Sequence, residues 1–117
     1  YRIVHSLDGY DEISLTGDVK VISPEKEELL SPHHLSEKQL DPKAISGGNT
    51  IESSAKIFLD ILNGKGTEAQ NAVVIANSGM AIHTAFPNKT REECREMAID
   101  SLRSGKAHQA FNTLLTL

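Results

Sequence analysis

Several residue types are scarce in this chain of 117 residues, and each scarcity excludes a class of function. The chain has no tryptophan and one cysteine, Cys94, so it cannot form an internal disulfide, which is typical of the reducing cytoplasm. No apolar run approaches the ~20 residues that a membrane-spanning helix needs. The formal net charge is -4 and no cluster of lysine and arginine stands out, which argues against nucleic acid or an anionic membrane as the main partner. We therefore expect a cytoplasmic protein without a nucleic-acid or membrane partner.

The length allows at most one domain of ordinary size. The apolar fraction of 38 % is sufficient for a core if the apolar residues are well spaced. The chain shows no initiating methionine and no basic-then-apolar leader, and residues 1–4 already have the composition of a strand. We therefore expect that the chain begins inside a fold.

The most informative stretch is an acidic turn at residues 5–14, where Asp8, Asp11 and Glu12 surround Gly9. A glycine adopts backbone conformations that strain other residues, so the last two carboxylates can point to one place above the end of a strand. Adjacent carboxylates repel unless a cation or a hydrogen-bond donor lies between them, and Mg²⁺ prefers oxygen ligands, often together with phosphate. The alternative is a solvated acidic turn, because aspartate and glycine are common in turns for backbone reasons.

Strand patterns occupy the first part of the chain. Residues 1 to about 8 predict a short buried strand, and the loose alternation of apolar residues over 13–23 predicts two strands or one bulged strand. A polar turn follows at 24–28, and Leu29 and Leu30 predict another brief strand. Residues 33–46 have no clear period, so we expect a long connection with room for one short helix.

Helix patterns occupy the second part. An oxygen-bearing residue with Glu or Gln three positions later, the capping-box pattern, occurs at Asn49 and Glu52, Thr67 and Gln70, and Thr90 and Glu93. These caps and the apolar spacing predict helices at about 50–63, 68–84, 91–104 and 107–117. The second of them is apolar on nearly every side, which predicts burial. The fold class is therefore α/β, a few short strands followed by three to four helices.

The order and spacing of these motifs resemble anthranilate phosphoribosyltransferase, an enzyme of tryptophan biosynthesis. The matching motifs lie at residues 4–15, 47–49, 63–66, 72–77 and 102–107. The family's chains are far longer, and the resemblance covers only their C-terminal part. It implies that residues 1–117 are a C-terminal fragment of the α/β phosphoribosyl-transfer domain, with strands and the acidic turn over 1–46, helices over 47–117, and the N-terminal helical domain absent.

The resemblance also implies an activity, that of a glycosyltransferase (a pentosyltransferase) in the full-length chain. That enzyme transfers phosphoribose from phosphoribosyl pyrophosphate to anthranilate. Asp11 and Glu12 match the pair that holds the cofactor Mg²⁺ on the pyrophosphate; they would bind metal and would not act as acid or base. Asp8 carries no family role, so we expect it either to shape the turn or to support the site without binding the metal itself. The family is typically dimeric through its N-terminal helical domain, which implies a homodimer of the full-length chain, and we expect the 117-residue chain alone to be inactive.

Two other functions remain open from the residues. One is a pyrimidine-type nucleoside phosphorylase, which shares the architecture; the other is a non-catalytic binding module of the same fold, which would fold stably alone. An exposed apolar surface would favour a fragment over such a module. The five histidines form no metal pattern, and Cys94 has the spacing of a small core side chain.

Overall fold

The computed structural model describes all 117 residues and confirms the α/β order, with strands followed by helices. The strands are β1 (Ile3–Ser6), β2 (Val19–Ile22) and β3 (Glu27–Leu30). Two 3₁₀ turns, Pro32–Leu35 and Pro42–Ile45, occupy the long connection, where one short helix at most was expected. The helices are α1 (Ile51–Leu62), α2 (Glu68–Ala85), α3 (Arg91–Arg103) and α4 (Lys106–Leu115).

The three strands form one antiparallel sheet in the order β1-β2-β3. Because alternate side chains of a strand point to opposite faces, Val19 and Val21 of β2 enter the core together, and each is only 1 % exposed. The main core also contains Ile13, Leu15, Leu30 and, from α2, Ala72, Ala76 and Met80. The sheet therefore packs one face against α2.

The prediction of a buried first strand is wrong. Strand β1 lies at the edge of the sheet, and Ile3 at its start remains 55 % exposed. Only Val4 and Ser6 of this strand turn inward, Ser6 with no exposed surface. The β-branched residues thus identified a strand, but the sheet is covered on one face only, so Ile3 and His5 on the other face remain exposed.

Residues 13–18 do not form the predicted strand, and only Val19–Ile22 does. Ile13 and Leu15 are nevertheless 1 % exposed, and Leu15 has the left-handed φ of 61°. The Leu15 carbonyl accepts a hydrogen bond from the backbone N–H of Leu40 at 2.8 Å, and the Thr16 carbonyl accepts one from Gln39 Nε2 at 2.8 Å. The apolar residues Ile13 and Leu15 are buried as the alternation indicated, but Ser14 and Thr16 are buried too, and the backbone is hydrogen-bonded to a loop instead of a neighbouring strand.

Helix α2 lies at the centre of the molecule, between the sheet and α3. Its residues Ala72, Ile75, Ala76, Gly79 and Met80 are buried, which agrees with its apolar sequence on nearly every side. On the facing helix the buried residues are Cys94, Ala98 and Leu102. Met97 of the same helix remains 37 % exposed.

Side-chain caps begin the first three helices. Thr67 accepts a hydrogen bond from the Gln70 N–H and Thr90 accepts one from the Glu93 N–H, as predicted. The predicted cap at Asn49 is wrong, because Thr50 caps α1 and accepts from the Ser53 N–H at 3.1 Å. The capping oxygen is thus supplied one residue later than the pattern indicated.

Helices α1 and α4 bury no side chain completely. The rings of Phe58 and Phe111 meet edge to face, with centroids 5.0 Å apart, and both helices present apolar residues to solvent. The large exposed side chains on these helices and the chain end are Ile51, Phe58, Leu59, Leu114, Leu115 and Leu117. The apolar side chains of α1 therefore form a face that remains open to solvent. None of the four helices has the length and apolar character required to cross a membrane.

Candidate metal-binding site

The acidic turn connects the end of β1 to the buried residues that precede β2. Gly9 adopts a φ of 102°, which is unfavourable for other residues. Two backbone hydrogen bonds of 3.1 Å close the turn, from the Gly9 N–H to the Ser6 carbonyl and from the Ser6 N–H to the Tyr10 carbonyl. Asp11 and Glu12 follow at its exposed outer side.

The carboxylates of Asp11 and Glu12 have no hydrogen-bond or ion-pair partner within the chain. Both residues are exposed, and every ion pair of the molecule lies elsewhere. The structure thus keeps two adjacent carboxylates free, side by side in sequence on one turn.

Asp8, the third carboxylate of the turn, has a different role. Its Oδ2 accepts a short hydrogen bond from Thr16 Oγ1, and its Oδ1 accepts one from Ser14 Oγ at 3.4 Å. A Cβ at Gly17 would lie 3.4 Å from Asp8 Oδ2, so the loop packs closely on this side chain. Asp8 therefore stabilises the turn and is not free to bind a metal in the same way as its neighbours.

A buried group of hydroxyls lies under the turn. Ser6, Ser14 and Thr16 are at most 8 % exposed. Their hydroxyl oxygens form a row, with 3.3 Å between Ser6 Oγ and Ser14 Oγ and 2.8 Å between Ser14 Oγ and Thr16 Oγ1. Ser6 Oγ donates to the Glu12 carbonyl at 2.6 Å and accepts from the Ser14 N–H at 3.3 Å. Each buried hydroxyl therefore has partners, which avoids the free-energy cost of an unsatisfied buried polar group. Sequence reasoning missed this group; its signal was a run of small hydroxyl residues among buried apolar ones.

Asn77 of α2 also binds the backbone at the end of the turn. Its Oδ1 accepts from the Ile13 N–H at 3.0 Å, and its Nδ2 donates to the Ile13 carbonyl at 2.8 Å. The two residues are 64 positions apart in sequence. Nothing in the sequence pattern of α2 indicated this contact.

The free pair fits Mg²⁺ by the chemistry of its donors. Carboxylate oxygens are hard ligands, and Mg²⁺ is commonly bound through one or two carboxylates with substrate phosphates and water filling the other positions. No group of three or more His, Cys, Asp and Glu side chains comes together anywhere in the chain to form a complete protein cage. The pair is therefore suited to a metal that arrives with a phosphate-bearing ligand.

The histidines do not contribute to this site. His5 is exposed on β1. His83 of α2 has a buried Nδ1 without a hydrogen-bond partner. Burial lowers the pKa of His83, and the nearby guanidinium groups of Arg2 and Arg91 lower it further, which favours a neutral ring. Cys94 is fully buried and is a free thiol of the core, as predicted.

Solved structures define the class of fold. The anthranilate phosphoribosyltransferase from Thermus thermophilus superimposes with a TM-score of 0.79 at 25 % identity, over 92 % of this chain and 32 % of that one. The enzyme of that name from Saccharomyces cerevisiae, in complex with PRPP and Mg, superimposes with a TM-score of 0.82 at 19 % identity, over 95 % and 32 %. The architecture is thus the α/β one of these transferases.

The sequence gives the particular family. Residues 2–108 match the model of the glycosyl transferase family, a/b domain, and the chain belongs to this family. It is 50 % identical over all 117 residues to the anthranilate phosphoribosyltransferases of Christiangramia forsetii and of Flavobacterium psychrophilum, which confirms the resemblance seen in the motifs. The chain spans about a third of the length of these curated relatives, since it covers 35 % of each.

Proposed function

We propose that this chain supplies the metal-holding part of an anthranilate phosphoribosyltransferase, which transfers phosphoribose from phosphoribosyl pyrophosphate to anthranilate in tryptophan biosynthesis. The relatives at 50 % identity carry that name. The observation that carries the proposal is the pair of exposed carboxylates, Asp11 and Glu12, free of partners on a turn whose base is held by partly buried hydrogen bonds. The S. cerevisiae structure with PRPP and Mg supports the choice of metal and ligand.

In this reaction the amine of anthranilate attacks C1 of the ribose and pyrophosphate leaves. When bound, Mg²⁺ supplies positive charge that stabilises the leaving pyrophosphate. The role of this chain in the reaction is to hold and orient the Mg²⁺ through the carboxylate oxygens of Asp11 and Glu12. The two residues move no proton in this proposal, and Asp8 does not participate directly because hydroxyl groups occupy both its oxygens.

The proposal is tested by Asp11→Asn and Glu12→Gln in the intact polypeptide as it is encoded. The rate of transfer is measured with both substrates while the Mg²⁺ concentration is varied. We expect each variant to need at least about 10-fold more Mg²⁺ for half-maximal rate, because a neutral amide is a weaker ligand than a carboxylate.

Asp18→Asn is the matched control, because Asp18 is also exposed and has no ion pair, but lies next to β2 and outside the pair. Unchanged Mg²⁺ dependence in both test variants would remove Asp11 and Glu12 from the site. Phosphorolysis of a pyrimidine nucleoside, with no transfer to anthranilate, would instead identify the related phosphorylase. The inactivity of residues 1–117 alone, the cytoplasmic location and the homodimer stay predictions.

A further inference from the structure

The peptide group between Glu12 and Ile13 is held by side chains from two separate elements. Ser6 of β1 donates to the Glu12 carbonyl at 2.6 Å, and Asn77 of α2 accepts from the Ile13 N–H at 3.0 Å. Both polar atoms of this peptide group are therefore bound by side chains, one at the end of β1 and one on α2. Asn77 also donates to the next carbonyl, that of Ile13, at 2.8 Å, so one amide side chain binds both backbone groups of one residue.

Asn77 is itself held firmly. Its Nδ2 donates a second hydrogen bond to the Val73 carbonyl one helical turn earlier, at 2.9 Å. The residue lies in the middle of α2, next to buried Ala76, and the side chain of Ile13 is buried in the same core. An amide in such a place is unfavourable unless its polar atoms are bonded, and here both are bonded to the base of the turn or to the helix.

This contact bears on the metal-holding pair because Glu12 directly precedes the held residue. The orientation of the peptide group after Glu12 sets the direction of its Cα–Cβ bond, and with it the region that the carboxylate can reach. Metal ligands must be held to within about 0.5 Å to be effective. The outer face of the turn offers no partner for either carboxylate, so their placement depends on the backbone below them.

We propose that Asn77 is a positioning residue of the metal-holding turn: it couples the central helix to the backbone immediately after Glu12 and so keeps the pair placed for Mg²⁺. The proposal rests on the proposed function. A positioning role differs from a purely structural one, because it requires the Mg²⁺ dependence of the transfer rate to change when the Asn77 contact is removed.

The test compares Asn77→Leu with Asn71→Leu in the intact polypeptide. Asn71 is a suitable control because it is a partly buried asparagine of the same helix that bonds to the Gly66 carbonyl at 3.3 Å and does not touch the turn. Asn77→Ala, which adds no bulk, replaces the leucine variant if that does not fold. Two quantities are measured: amide hydrogen exchange at Ile13 in metal-free protein, and the Mg²⁺ concentration for half-maximal transfer rate.

For the Asn77 variants we expect exchange at Ile13 to be at least about 10-fold faster and the Mg²⁺ requirement to rise about 10-fold, the effect typical of groups that orient metal ligands. The rate at saturating Mg²⁺ should change less than the metal requirement, and Asn71→Leu should change neither quantity. Faster exchange with an unchanged Mg²⁺ requirement would overturn the positioning role and leave a structural one. A wild-type protein without Mg²⁺-dependent transfer would overturn the proposed function itself, and this inference with it.

Discussion

Arg91 Nη2 lies 2.6 Å from both carboxylate oxygens of Glu28, so one guanidinium nitrogen joins the first turn of α3 to the last strand of the sheet. Lys26 approaches the same carboxylate at 2.9 Å. Burial by itself would raise the pKa of Glu28, but the hydrogen bonds from Arg91 and Lys26 outweigh it and lower the pKa. A second pair, Arg95 with Glu37 at 2.9 Å, joins the same helix to the loop after the sheet.

The pair between Arg91 and Glu28 should make stability depend on pH. The folded-state pKa of Glu28 is lowered, so its contribution to the free energy of unfolding is present above the unfolded pKa of about 4.3 and is lost as the pH falls through the folded pKa. We expect Arg91→Met to destabilise the protein by about 1 kcal/mol at pH 7, a modest value because both side chains are partly exposed.

Urea unfolding at pH 7 and below pH 4 measures the difference in the free energy of unfolding between wild type and Arg91→Met. This difference should be smaller at the lower pH. Arg103→Met is the matched control, because Arg103 lies on the same helix, is exposed and has no ion pair. An equal loss of stability from Arg91→Met at both pH values would show that the side chain acts through packing instead of charge.

The cap of α1 gives a second prediction. Thr50→Ala removes the oxygen that accepts from the Ser53 N–H, which should cost about 1 kcal/mol of local stability. Because α1 completely buries no side chain, we expect the loss to appear as faster amide hydrogen exchange in its first turn. Asn49→Ala, at the neighbouring residue, should leave exchange unchanged. A larger effect of Asn49→Ala than of Thr50→Ala would contradict the cap seen in the structure.

Gly79 gives a third prediction, at the contact between α2 and α3. A Cβ at this position would lie 3.4 Å from the Cα of Arg95, at the limit of ordinary contact with a backbone atom. We expect Gly79→Ala to change stability by less than about 1 kcal/mol, since the better helix propensity of alanine offsets the close approach. Gly79→Leu should destabilise by about 3 kcal/mol because the larger side chain must push the helices apart. Urea unfolding of both variants measures the change in the free energy of unfolding. Similar stability of the two variants would show that the helices separate easily.

The helices could be predicted closely because their signals are local. The expected ranges of 50–63, 68–84, 91–104 and 107–117 compare with Ile51–Leu62, Glu68–Ala85, Arg91–Arg103 and Lys106–Leu115. Capping oxygens, glycines and apolar spacing all act within a few residues, so a sequence displays them directly. Both Asn49 and Thr50 can cap a helix. The glutamate three residues after Asn49 favours Asn49 in the sequence pattern, whereas Thr50 is the cap in the structure.

The region of residues 13–18 could not be predicted in the same way. Ile13 and Leu15 alternate with polar residues in the sequence, which is the pattern of a half-buried strand, but all of residues 13–16 are buried. Leu15 has a left-handed φ, and the backbone groups of Ile13 and Leu15 bond to partners that are not a strand. Those partners, Asn77 and Leu40, lie far along the chain, and no local rule indicates them.

The sequence by itself determined the α/β class, the approximate ends of the helices and the family resemblance, and through that resemblance it selected Asp11 and Glu12 as the predicted metal-binding pair. These follow from patterns within short stretches, where covalent neighbours alone decide which groups can meet. Only the tertiary structure decided that Asp8 is bound to hydroxyl groups while its two neighbours remain free, and that Asn77 holds the backbone behind them. For Asn77 the physical reason is that hydrogen bonds across 64 residues depend on how the sheet and the central helix pack. For Asp8 it is that the chain must turn back on itself before Ser14 and Thr16, six and eight residues later, reach its oxygens.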